Sequence, residues 1–166
     1  MISECSELKQ KLTREKSLLE SINLVLNEQQ QAVLGNDIAG LNESVASLRE
    51  WLNRFALVEN ERRQAMEELA TVAALSREGV TLQKLLDALV VPEKEEILSL
   101  GESVRSLLEQ VEKTNRLNSY LIEKSQLFVK RNLLWMKRIQ SPVTTYTRDS
   151  RVKVQSNTKQ LINEAV

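Results

Sequence analysis

The sequence contains no histidine. That absence removes histidine phosphotransfer bundles, the Glu-x-x-His metal sites of ferritin-like bundles and the familiar His-dependent nucleophile arrangements. Cys5 is the only cysteine, so no internal disulfide framework can form, and a reducing, cytoplasmic setting fits best. It stands near an N-terminal end expected to fray. Four glycines and two prolines punctuate 166 residues, where sheets would need more turns. The glycines Gly35, Gly40, Gly79 and Gly101 are isolated, and none belongs to a phosphate-cradling GxGxxG or Walker-type loop. Aromatic residues make up 4%, few for an ordinary globular core but enough for a seam of Leu, Val and Ile between helices. No apolar run approaches the roughly 20 residues that span a bilayer, and MISECSELKQK lacks the apolar stretch of a secretory signal.

Charge of neither sign dominates, with 23 basic and 23 acidic side chains, which removes the simplest electrostatic case for nucleic acid binding. The cancellation is uneven. Residues 1–122 carry 14 basic and 20 acidic groups, and residues 123–166 carry 9 and 3. Acidic clusters at Glu67-Glu68 and at Glu93, Glu95 and Glu96 read as solvated faces or helix-dipole complements, so neither metal nor cofactor is expected and the chain is read as a non-enzyme.

What fills the sequence is Leu, Glu, Gln, Lys, Arg and Ser, a mixture of high helix propensity. Leu8, Leu12, Glu15, Leu19, Ile22, Leu26, Gln29 and Val33 alternate spacings of four and three, the seam of a heptad helix over about 3–34. Gly35-Asn36-Asp37 supplies a stop and a new N-cap, with positive φ assigned to the glycine. So short a connection makes the neighbouring helices antiparallel. A second helix over about 38–76 shows Ile38, Leu41, Val45, Leu48, Leu52, Phe55, Met66, Leu69 and Ala73 on its seam. Glu59 and Arg62 interrupt it and are read as a solvated gap in preference to a paired charge. Gly79 is taken to end this helix, Thr81 to cap a short helix over about 82–90, and Pro92 to restart the chain.

A third long helix over about 93–140 carries Ile97, Leu100, Val104, Leu107, Val111, Thr114, Asn118, Leu121, Ser125, Phe128, Asn132, Trp135 and Ile139 in unbroken heptads. Pro142 ends it, and the polar remainder, 141–166, is expected to be a mobile tail. The expectation is therefore an all-α fold: an elongated antiparallel bundle of three long helices spanning 1–140, with one short helix between the second and third. Within the last helix, Lys124, Lys130, Arg131, Lys137 and Arg138 surround Phe128, Trp135 and Met136, the pattern of an amphipathic helix that engages a groove or a membrane surface, the latter opposed by the acidic remainder of the chain. The same pattern also describes a core face flanked by solubilising cations, and both readings stay open. Homo-oligomeric coiled-coil scaffolding is the alternative to a partner-binding role.

LEQVEKTNRLNSYLIEKS places Asn115, Asn118, Leu121 and Ile122 in an N-x-x-N-x-x-L-L/I segment, followed by TTYTRDSR with its T-x-Y element. On these residues, and on the long helix, polar turn and Arg/Glu-rich heptad helix before them, the chain resembles the FlgN family of flagellar export chaperones. The family's glycine four residues after the tyrosine is Ser150 here. The resemblance implies a cytoplasmic, helical chaperone of type III export that binds the terminal helices of the hook-associated proteins FlgK and FlgL. It implies client recognition by the segment after Asn115 and by the tail, and on that reading the expected contacts are Asn115, Asn118, Leu121, Ile122, Phe128, Val129, Lys130, Arg131, Trp135, Met136, Lys137, Arg138 and Ile139. It further implies contact of Tyr146 with the cytoplasmic domain of the export-gate protein FlhA.

Overall fold

The computed structural model describes residues 2–75, 80–89, 92–140, 143–146 and 152–155. Four helices account for most of them: α1 (Ile2–Leu34), α2 (Ile38–Val72), α3 (Leu82–Ala88) and α4 (Lys94–Gln140). The chain divides into two units, Met1–Leu121 and Ile122–Val166, with α4 contributing to both.

The helix ends follow from local chemistry. At the end of α1 the Asp37 N–H donates to the Ala32 carbonyl at 2.9 Å and the Asn36 N–H to the Val33 carbonyl at 3.3 Å. These are the paired bonds of a Schellman stop. The left-handed residue is Asn36, with φ 54°, so the sequence expectation of a positive φ at Gly35 is corrected by one position. Asparagine tolerates that conformation because its short polar side chain adds little steric cost. Asp37 then turns to the next helix, its carboxylate accepting from the Gly40 N–H at 3.0 Å. Gly40 leaves room for this cap, since a methyl group there would sit 2.5 Å from the Asp37 carboxylate and force it to shift.

The same stop closes α2, where Ala74 N–H donates to Thr71 and Leu75 N–H to Ala70. Ala74 takes the left-handed position at φ 55°. The helix therefore ends at Val72 and not near 76, and Gly79, expected to be its terminator, lies outside the described residues. Thr81 does cap α3, accepting from the Lys84 N–H at 3.3 Å.

Four cross-links, with the turn between α1 and α2, define the helix directions in the first unit. Lys11 meets Glu61 at 3.6 Å and Glu15 meets Arg62 at 2.7 Å, pairs that lie far along both helices from the short turn joining Leu34 to Ile38, so α2 folds back antiparallel on α1. Lys9 meets Glu96 at 2.7 Å, and the Asn118 amide donates to the Leu26 carbonyl at 2.7 Å, so α4 follows α1 in parallel. All eight seam residues of α1, from Leu8 to Val33, are buried. Leu8, Leu12, Leu19, Ile22 and Leu26 form one core with Leu69 and Ala70 of α2, Leu85 and Leu86 of α3, and Ile97 and Val104 of α4. Each fully buried Leu or Ile stabilises by about 1.5–3 kcal/mol relative to an exposed one. Cys5 belongs to this core at 2% exposure, so the N-terminal end is packed where fraying was expected. Gly101 lets α3 approach α4, as a methyl group there would lie 2.6 Å from the end of the Leu82 side chain.

The seam of α2 differs from the sequence reading at alternate positions. Ser44, Val58, Ala65 and Leu69 are buried, with Leu48, Trp51, Phe55 and Arg62 half-buried between them, which is again a four-three spacing. Ile38, Val45 and Leu52, one row over, are exposed. Arg62 is no solvated gap: its Nε donates to the buried Glu15 carboxylate.

In the second unit, Val143–Tyr146 (β1) and Val152–Gln155 (β2) pair antiparallel, Val143 opposite Gln155 and Tyr146 opposite Val152. No strand was expected in 141–166. The β-branched and aromatic residues of VTTY and VKVQ suit an extended, pleated backbone, and polarity alone had hidden them.

Candidate functional site

The sequence-predicted partner residues fall on both sides of the division between the units. In the first unit, Asn115 is exposed, Leu121 is half-buried, and Asn118 is 1% exposed. Asn118 lies inside the bundle, its amide donating to the Leu26 carbonyl and, at 3.0 Å, to Gln29 Oε1. It reads α1, not solvent. A buried amide costs stability unless bonded, and once bonded it fixes which residues of the two helices stand opposite one another. Its Oδ1 has no hydrogen-bond partner, as is true of Glu15 Oε2.

In the second unit, α4 presents its apolar side chains to solvent. Phe128 is 66% and Trp135 65% exposed, and Val129 and Met136 are exposed as well, while Ile122 is half-buried. Lys130, Arg131, Lys137 and Arg138 are exposed on the same stretch. The side chains of Ile139 and Tyr146 lie outside the described residues. Leu127, Leu133 and Leu134 are also exposed and were not among the expected contacts. Only their bulk could have flagged them, since none lies on the heptad seam.

At 3.6 residues per turn, the side chains from Trp135 round to Leu133 cover about 160° of the helix circumference. Phe128 and Trp135, seven apart, form one apolar ridge; Ile122, Val129 and Met136, again seven apart, form another. Ser125 and Asn132 run between them. The cations occupy the remaining arc, with Leu127 and Leu134 among them. Such a face is neither a core, being exposed, nor an ordinary solvated surface, being too apolar.

Elsewhere the surface is chemically plainer. A groove between α1 and α2 is lined by Leu24, Asn27, Glu28, Gln31, Glu43 and Ser47 among others, a predominantly polar set. Among the described residues, no group of three or more Cys, Asp or Glu side chains could hold a metal ion. No helix among them is long and apolar enough to cross a membrane.

Fold and face together define a class: a helical-bundle protein that displays a basic, amphipathic helix. Residues 1–153 match the FlgN protein family, and the chain belongs to it. That membership points to a chaperone role in flagellar export. No curated protein matches the chain, and no solved structure does.

Proposed function

We propose that this protein is a cytoplasmic export chaperone that binds hook-associated proteins of the FlgK and FlgL kind, keeps them from premature association and delivers them to the export gate. The observation that carries this reading is the exposed apolar face of residues 122–138, on a chain of the FlgN family. A client helix covering Phe128, Val129, Trp135 and Met136 gains about 25 cal/mol for each Å² of apolar surface removed from water, less the ordering cost of association. Lys130, Arg131, Lys137 and Arg138 orient the client and raise its association rate, an effect that added salt weakens. Tyr146, on β1, is the residue the family resemblance assigns to the FlhA contact.

Calorimetric titration with a purified hook-associated protein tests the reading. Micromolar or tighter binding that is lost in Phe128→Asp/Trp135→Asp, at unchanged helix content, supports it. No binding by the intact chain overturns it. The Tyr146→Ala variant is expected to keep client binding and lose affinity for the FlhA cytoplasmic domain. A second copy of this chain could bury the same face in a scaffold, and sedimentation equilibrium distinguishes that arrangement by a concentration-independent oligomer with no affinity for the client.

A further inference from the structure

The exposed face of α4 is wider than one neighbouring helix covers. A helix packed against a single partner buries a narrow seam, whereas the apolar arc here spans about 160° and holds two ridges. Phe128 and Trp135 stand on one side of Ser125 and Asn132, and Val129 and Met136 stand on the other. A single helix seated on either ridge leaves the second in water. Two helices, one along each, cover both.

The polar line between the ridges points the same way. Asn132 lies fourteen residues, two heptads, beyond Asn118. Asn118 shows what an asparagine does at this seam position, donating at once to the Leu26 carbonyl and the Gln29 amide oxygen of a facing helix. Asn132 is exposed, with the same chemistry available to a helix supplied from outside. Charge then selects the helices. Between 122 and 138 there are five cations and one carboxylate, Glu123, so helices flanked by Asp and Glu are favoured and basic ones are opposed.

We infer that residues 122–138 insert between two acidic-flanked amphipathic helices of one partner, a helical hairpin or a pair brought together, with a polar residue of the partner opposite Asn132. The inference rests on the chaperone reading and specifies the form of the client it takes. Two ridge variants of the full chain, Phe128→Ala/Trp135→Ala and Val129→Ala/Met136→Ala, are titrated with the same full-length hook-associated protein, and each is expected to weaken binding by at least about tenfold. Asn132→Leu is expected to weaken it less, and Lys130→Glu/Arg131→Glu to slow association more than dissociation. If the intact chain binds the client but one ridge variant binds as tightly as the intact chain, a single helix is seated there and the two-helix arrangement is wrong while the chaperone reading stands. If the intact chain fails to bind, both fall. If the ridge variants dissolve a self-associated oligomer and leave client affinity unchanged, the occupant is a second copy and the inference is overturned.

Discussion

In the first part of α4, Ile97, Val104 and Asn118 are buried, whereas in the second part Phe128, Asn132 and Trp135, on the same heptad spacing, stand in water. Charge separates the two stretches as clearly as burial. Residues 94–121 carry four cations and five carboxylates; residues 122–138 carry five cations and one carboxylate. A heptad seam therefore reports that a helix has a face to cover. It does not report whether the cover comes from the same chain. The second stretch keeps the periodicity and loses the balanced flanks, the combination on which the proposed client face rests.

The comparison is broken most directly by truncation at each end of the helix. Ile97→Ala removes a side chain with no exposed surface and is expected to cost about 2–5 kcal/mol in urea unfolding, from lost burial and the cavity left behind. Trp135→Ala removes a larger side chain and is expected to stay within about 0.5 kcal/mol of the parent, because little of it is buried to begin with. Equal losses at the two sites would show that the second stretch is covered in solution.

Some of this was legible in the sequence and some was not, for reasons that differ by element. The seam of α1 could be read residue by residue, since Glu15 and Gln29 are its only polar members and the adjoining row, Leu18, Val25 and Ala32, is short. In α2 two rows one residue apart both satisfy the spacing. The core took Ser44 and Trp51 in place of Val45 and Leu52 at those alternate positions. Periodicity ranks residues by hydrophobicity and is blind to which of two such rows the neighbouring helices face. Asn118 was grouped with the client contacts because an asparagine on a heptad seam looks the same whether it meets Gln29 or water. The exposed face around Phe128 was visible as a pattern, but only the structure shows that nothing in 122–138 is counted among its buried residues.

A polar residue on the covered seam should be sensitive in proportion to what depends on it. Arg62→Ala leaves the Glu15 carboxylate buried beside no cation, and thermal or urea unfolding is expected to register about 2–3 kcal/mol. That lies below the usual cost of stranding a buried charge because Arg62 is itself a quarter exposed, so its pairing is partly screened. Asn118→Ala is expected to cost about 1–2 kcal/mol through the loss of its bonds to Leu26 and Gln29. Asn132→Ala, two heptads on, should leave stability within about 0.5 kcal/mol. A larger loss at Asn132 than at Asn118 would invert the comparison.

The smallest effect is expected from Glu15→Gln, and its sign is informative. Burial raises the Glu15 carboxyl above the ordinary glutamate range by withholding water from the charge; the Arg62 hydrogen bond and charge offset part of this, and Glu59 adds to it. The folded protein then holds the Glu15 proton at a pH where the unfolded chain has released it. Stability from this group is accordingly complete below the unfolded value of about 4.3 and declines as pH rises through the folded one. Glutamine keeps an oxygen that can accept from Arg62 Nε and carries no charge to desolvate, so it resembles the protonated parent. The stability of the parent relative to Glu15→Gln should therefore fall as pH rises above the unfolded value of about 4.3, as read by urea unfolding at each pH. A flat difference would mean that Arg62 only balances desolvation; one that grows in favour of the parent would mean that Arg62 outweighs it and that the charged pair is a net support of the α1–α2 seam.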